Sequence, residues 1–334
     1  MCYSAQIASD FRTYQRLGGD LDLDAYIQMA GWSKKHGTWT QRVPKGLRNA
    51  FLDSTDPAEQ DAKAAALDAY QAAALALEEE LAAQGARLAK AKAVLAGPKP
   101  TKKAENDQRV AAKKIAAARA KLVEVHDHAV GDGYDRIWPG GITPVLMRDP
   151  ATGERRVVPM RYRCRLPSWT EVDEKKWDGT YNARRDKLST AWRELWGATH
   201  GVMVARRIYE SVALHRLDRR ALVPGEREVP VEIEFRPEPE QDLLLACLWR
   251  YVEPERDEPG FYTVAAITGA PLPDFAAAGH DRSVIAIKPE HLDAWLNPQA
   301  SSLGEMVAIL DDPAAVTYAY APAERGLPNV DEHE

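Results

Sequence analysis

The sequence has no apolar run near the roughly 18 residues that a membrane-crossing helix needs. Its first residues lack the basic-then-apolar pattern of a secretory leader. Cysteine is scarce: Cys2, Cys164 and Cys247 are the only three in 334 residues. That excludes a disulfide framework and fits a reducing compartment. No Cys-x-x-Cys pair occurs, and His126-x-His128 at a helix end is a weak ligand pair, so neither a metal nor a cofactor is expected. Basic residues thin out late in the chain: residues 251–334 hold 4 Lys and Arg against 15 Asp and Glu. These absences predict a cytoplasmic protein with no membrane contact.

What is present describes a globular chain. Hydrophobic residues make up 45% and charged residues 28% of it, and its length suits one large or two ordinary domains. The net charge of −6 averages two unlike parts. Residues 1–250 carry 40 basic and 35 acidic residues, and residues 151–200 alone carry 11 against 7. A local basic surface beside an acidic tail is therefore compatible with a polyanionic partner.

Residues 56–95 are rich in Ala, Leu, Glu and Lys. Leu67, Ala74, Leu81, Leu88 and Leu95 recur every seven residues, with Tyr70, Leu77, Gln84 and Ala91 between them. Asp56-Pro57-Ala58-Glu59 supplies a helix start and Gly97-Pro98-Lys99-Pro100 a stop. A second helix from about Asp107 to Asp127 places Ala111, Ile115, Ala118, Leu122 and Val125 on one face. The two predict an antiparallel coiled-coil hairpin, a projecting arm whose Lys/Arg face offers a surface for a protein partner or for nucleic acid. The rest has a short-strand rhythm: Ile142–Met147, a turn at Asp149–Gly153, Arg156–Met160, Leu243–Tyr251 and Phe261–Thr268. The expected fold is α+β, a curved antiparallel sheet with the hairpin inserted. The expected division is a split core of residues 1–55 and 128–320, the hairpin at 56–127, and a loose acidic tail at 321–334.

Four segments carry chemistry. In Met1-Cys2-Tyr3-Ser4, removal of Met1 would give Cys2 a free α-amine titrating near pH ~8 beside a thiol titrating near ~8.5. Such a pair can attack one aldehyde twice, the amine giving an imine and the thiol closing a thiazolidine. The thiol can also attack a carbonyl alone, with the amine as base. Asn182-Ala183-Arg184 offers a hydrogen-bonding amide and a guanidinium suited to phosphate. Glu210 ends the apolar run that starts at Val202 and could serve as an acid or base. His280 precedes the apolar segment Ser283–Ile287 and could shuttle protons.

In this order the segments resemble the SRAP family, the SOS-response-associated peptidases and abasic-site DNA–protein crosslinking proteins. The resembling residues are Met1-Cys2, Arg163 to Trp169, Asn182-Ala183-Arg184, Ala205 to Glu210 and His280-Asp281-Arg282. The resemblance covers residues 1–10 and about 137–300 but not the hairpin. It implies a barrel-like core and a monomer that binds single-stranded DNA and forms a thiazolidine crosslink with an abasic site. Cys2 would be the nucleophile, Glu210 the base, His280 the acid, and Asn182 would position the cysteine or the sugar ring. Arg184, Arg282 and Arg206 would hold phosphates, and Trp169 would stack on a base. The peptidase label would refer to self-removal of Met1. The chain departs from the family at Tyr3 and Ser4, where a glycine and an arginine are usual, and at Arg206-Arg207, where Asp-Gly is usual.

Two other readings stay open. One is an N-terminal-nucleophile cysteine amidohydrolase, although the first 60 residues hold no convincing glutamine-binding motifs. The other is a non-enzymatic coiled-coil interaction protein.

Overall fold

The computed structural model describes residues 2–129, 131–177, 179–255 and 258–323, with Cys2 and Tyr3 described by their backbone. The chain forms two compact units, residues 1–22 with 133–334 and residues 23–132.

The first unit is built on thirteen strands. They are β1 (Cys2–Ala8), β2 (Asp20–Leu21), β3 (Tyr134–Ile137), β4 (Ile142–Arg148), β5 (Arg155–Tyr162), β6 (Asn182–Arg184) and β7 (His200–Ala213). After these come β8 (Pro230–Glu238), β9 (Leu243–Val252), β10 (Phe261–Gly269), β11 (Ser283–Val284), β12 (Ala286–Ile287) and β13 (Thr317–Pro322). Five of them close a barrel in the order β9–β10–β5–β4–β7 and back to β9. Every pairing in the ring is antiparallel except β5 with β10. Val145, Val157, Met203, Leu245 and Ala265 are fully buried. The β4–β5 hairpin turns as its sequence requires: Asp149 Oδ1 accepts from the Ala151 amide at 2.7 Å, and Gly153 takes the left-handed φ of +75°. Short α1 (Arg12–Gln15) carries Tyr14, whose hydroxyl donates to the Pro144 carbonyl at 2.9 Å and accepts from the Val204 amide at 3.1 Å. That one group satisfies backbone atoms of β4 and β7 where their direct pairing has ended.

The second unit contains α2 (Leu23–Lys35), α3 (Trp39–Arg42), α4 (Lys45–Arg48), α5 (Gln60–Leu95) and α6 (Lys102–His126). The expected cap holds: Asp56 Oδ1 accepts from the Ala58 amide at 2.9 Å, and a short 3₁₀ turn leads into α5. Helix α6 starts five residues before the expected Asp107, because Thr101 caps it by accepting from the Ala104 amide at 3.2 Å. Ala104, Ala111, Ala118 and Val125 form its buried seam, at seven-residue spacing. On α5 the buried line runs through Tyr70, Gln84 and Ala91, whereas Leu67 of the leucine series is 46% exposed. A two-helix hairpin covers one stripe of each helix and leaves the flanking stripe partly wet.

Residues 23–55, expected with the core, pack in this unit instead. Trp39 meets Tyr70 edge-on at 5.6 Å, the Tyr70 hydroxyl donates to Asn49 Oδ1 at 2.5 Å, and buried Arg48 pairs with Glu124 at 3.1 Å.

The first unit also carries α7 (Glu171–Lys176), α8 (Leu214–Leu217), α9 (Pro273–Ala277), α10 (Leu292–Leu296) and α11 (Leu303–Asp311). Trp295 of α10 is fully buried and donates to the Gly201 carbonyl of β7 at 2.9 Å. Ala321 and Pro322, expected to open the tail, instead end β13, which pairs with β8. The rest of the expected tail, residues 324–334, lies outside the described residues. Among the described residues no helix is long and apolar enough to cross a membrane.

Candidate active site

Strand β7 organises the site. Its first half belongs to the barrel; its second half lies between β1 and β8. In that second half Glu210 stands opposite Cys2 of β1 on one side and Ile233 of β8 on the other. The β1–β7 register shifts between Cys2 and Ser4. Glu210 is fully buried.

His280 reaches the same place from a separate element. Phe275 of α9 stacks on Phe235 of β8 with ring centroids 3.8 Å apart, which anchors α9 over the sheet. The chain then turns at Gly279, φ +89°, where a Cβ would lie 2.8 Å from Arg216 Cβ. Only glycine meets both demands. The turn brings His280 Nε2 to 3.5 Å from Glu210 Oε2. His280 Nδ1–H donates to the Arg282 carbonyl at 2.7 Å. That bond fixes the tautomer and leaves Nε2 facing the carboxyl group. Burial lowers the His280 pKa and the Arg282 carbonyl partly opposes it, so the ring is mainly neutral at pH 7. With its Nδ1 proton committed, the ring can exchange a proton only at Nε2, toward Glu210 or a reacting atom beside it. His280 also lines a cavity of about 380 Å³ with Ser211, Arg216, Glu228 and Asp281.

The other candidates are distributed around this pair. Asn182 is buried on β6, which pairs with β10, and β10 in turn pairs with β11, directly after Arg282. Arg184, exposed on β6, makes two bonds to Asp186 at 2.9 Å each. Its charge is stabilised first by Asp186 and also by Asp281. The Arg282 guanidinium lies 3.4 Å from Asp281. Arg206 stacks on the Tyr134 ring at 3.6 Å and lies 3.7 Å from both Glu240 and Asp242, so its charge is already shared with two carboxylates. Trp169 is half-buried in the loop after β5, its amide donating to the Leu166 carbonyl at 2.9 Å. The structure thus joins Cys2, Glu210, His280 and Arg282, sets Asn182 and Arg184 across β10, and ties Arg206 to its own acidic neighbours. Burial pushes the thiols of Cys164 and Cys247 up to about 12, so neither is a nucleophile at neutral pH. Among the described residues no cluster of His, Cys, Asp or Glu could hold a metal ion.

One contributor is absent from the motifs. Arg136 of β3 donates to the Ser4 hydroxyl from Nε at 3.0 Å and from Nη2 at 2.7 Å. It also pairs with Glu232 and lies over the Tyr209 ring at 3.7 Å. A guanidinium therefore sits beside position 4, where the family usually carries its own arginine. Its charge is matched by Glu232, so it fastens the strand that bears Cys2 and is not a free phosphate ligand.

A closed barrel with a buried carboxyl–imidazole pair beside the first strand of the chain, β1, is the class these features define. The comparisons carry the identification further. The family model for SOS response associated peptidase (SRAP) matches residues 103–327, more than half of the chain, and the chain belongs to that family. The matched segment contains Glu210 and His280 but not Cys2. Similar solved structures include two proteins from Bordetella bronchiseptica, one of them phage-related, and one from Bacteroides thetaiotaomicron. The first Bordetella protein is 19% identical over 57% of this chain and 87% of its own, with TM-score 0.45. The Bacteroides protein is 16% identical over 63% and 87%, TM-score 0.46. The phage-related protein is 17% identical over 62% and 89%, TM-score 0.44. Comparison with curated proteins gives no match. Family membership associates the chain with the SOS response to DNA damage.

Proposed function

We propose that this is a cytoplasmic sensor of abasic sites in single-stranded DNA that links itself to the lesion through Cys2. The observation that carries the reading is the register of Cys2 opposite Glu210, with His280 Nε2 3.5 Å from that carboxyl group. Once Met1 is removed, the α-amine of Cys2 adds to the aldehyde carbon of the open-chain sugar. Loss of one water gives the imine, and addition of the thiol across C=N closes the thiazolidine. Aldehyde and aminothiol thus become thiazolidine and water, with no net redox change. Glu210 takes the amine proton as the C–N bond forms and passes it to the neutral His280 at Nε2, which delivers it to the departing oxygen. Removal of Met1 by the same groups would account for the peptidase label. Asn182 orients the cysteine or the sugar ring. Arg282 and Arg184 hold flanking phosphates, which requires each to exchange its present aspartate for the ligand. Arg206 is a weaker phosphate contact because two carboxylates already share it, and Trp169 offers a partly open ring for stacking.

The test is intact-mass spectrometry followed by incubation with single-stranded DNA carrying one abasic site. The expected results are a chain lacking Met1, an adduct of protein plus DNA minus one water, and loss of that adduct in Cys2→Ala. A retained Met1, or an undiminished adduct in Cys2→Ala, overturns the reading. Release of ammonia from glutamine would favour the amidohydrolase instead.

A further inference from the structure

The inserted hairpin carries its charge unevenly. Residues 56–84 hold one lysine against seven acids, whereas residues 85–121 hold eleven Lys and Arg against Glu105 and Asp107. The positive part is centred on α6. Between Lys102 and Lys121, a length of about 28 Å at 1.5 Å per residue, that helix has seven cations and two acids.

The hairpin's own ion pairs consume little of this charge. Arg87 holds Asp107 at 2.5 Å and Lys114 reaches Glu80 at 3.3 Å. Lys99, Lys102, Lys103, Arg109, Lys113 and Lys121 are exposed and make no ion pair among the described residues. At 3.6 residues per turn, Lys102, Arg109 and Lys113 lie within about 40° of one another, on the side of α6 opposite the Ala104–Ala111–Ala118 seam. With Lys114 paired, six like-charged groups along one helix repel one another, and a polyanion lying along them relieves that repulsion.

The composition narrows the polyanion. Residues 71–127 contain no Phe, Tyr or Trp. Proteins that grip single strands add aromatic platforms for the unstacked bases, and this surface has none. Exposed apolar side chains are also too few for a lipid surface: Leu75 and Val94 lie on α5, and Val123 has only half-buried Leu122 beside it at the end of α6, without the Trp, Phe and Leu face of a membrane-seeking helix. What remains is rigid, basic and about as long as one turn of duplex, roughly 34 Å.

We propose that the outer face of α6 and the loop at Lys99 dock along the phosphate backbone of double-stranded DNA, without reading its sequence. The surface recognises phosphate and needs no aldehyde, so the proposal does not depend on the Cys2 chemistry.

The test is fluorescence anisotropy of the full chain with an intact blunt duplex, titrated between about 50 and 200 mM salt. The variant Lys102→Gln/Lys103→Gln/Arg109→Gln/Lys113→Gln alters only exposed side chains, and circular dichroism checks that its helices are retained. The expected result is at least a tenfold loss of duplex affinity. The dependence of log K on log salt should become shallower by up to about 3.6, at about 0.9 for each of the four lost phosphate contacts. Unchanged affinity and slope overturn the proposal. So does an equal loss measured with an intact single strand, or variant-sensitive binding to anionic phospholipid vesicles without duplex binding.

Discussion

Glu210 and His280 are held by different means, and that difference sets what each can report. Glu210 is fixed by strand pairing on both sides of β7. His280 hangs from a turn and is aimed by one bond from Nδ1 to the Arg282 carbonyl. Its lowered pKa means that the working ring is neutral and that protonation sets in below the ordinary value of 6.5. We expect the ratio of wild-type to His280→Gln crosslinking rates to be constant above about pH 6.5 and to fall below it as the wild-type ring gains a proton. Titration of the Cys2 amine affects both proteins alike and cancels in the ratio. A ratio independent of pH between about 5 and 7 would remove His280 from proton transfer. Both residues were legible in the sequence, because each ends or precedes an apolar strand within a short motif. Arg136 was not: its partner Ser4 is 132 residues away, and only the β1–β3 pairing brings them together.

At the scale of elements, the turn after α9 carries most of the placement of His280. A methyl group at Gly279 would meet Arg216 Cβ at 2.8 Å and its backbone carbon at 3.1 Å, on a residue with φ of +89°. Gly225 has nearly the same φ, +87°, with nothing within 4 Å. Gly225→Ala should therefore cost only the backbone term, about 1 kcal/mol, while Gly279→Ala should cost more, about 2–3 kcal/mol. Gly279→Ala should also slow crosslinking while Gly225→Ala does not. Urea unfolding and single-turnover rates check both, and equal effects of the two substitutions would deny the contact with Arg216 any part. The hairpin shows the limit of reading elements from pattern. Heptad spacing identified two helices, but the leucine series is not the buried line on α5. Helix α6 starts early because a threonine cap extends an alanine seam that hydrophobicity alone does not reveal.

For the whole molecule, closure of the barrel is what the sequence conceals. The β4–β5 hairpin is local and its turn residues announce it. Closure depends instead on β7 meeting β9 and on β10 lying parallel to β5, partners about 40 to 100 residues apart whose apolar runs would suit many neighbours. Closure also buries a titratable group that the proposed chemistry does not use. His200 opens β7, is 2% exposed, and lies against Trp295 at 4.2 Å and Trp196 at 5.1 Å. Its Nε2 accepts from the Gly197 amide at 3.0 Å, a bond that only the unprotonated nitrogen can make. Burial lowers its pKa from 6.5 to about 3. The unfolded chain therefore binds a proton that the folded chain refuses. Stability is fully present above pH 6.5 and declines as pH falls toward about 3, by up to about 1.4 kcal/mol per pH unit. His280 acts with the same sign. Glutamine at position 200 can still accept from the Gly197 amide but cannot take up a proton. His200→Gln should therefore lose some stability at pH 7 through the missing ring contacts, and should show a shallower decline between about pH 6.5 and 5, above the range where most carboxylates titrate. Denaturant midpoints across that interval decide the matter: parallel curves for the two proteins would mean that another group sets the acid sensitivity of the fold.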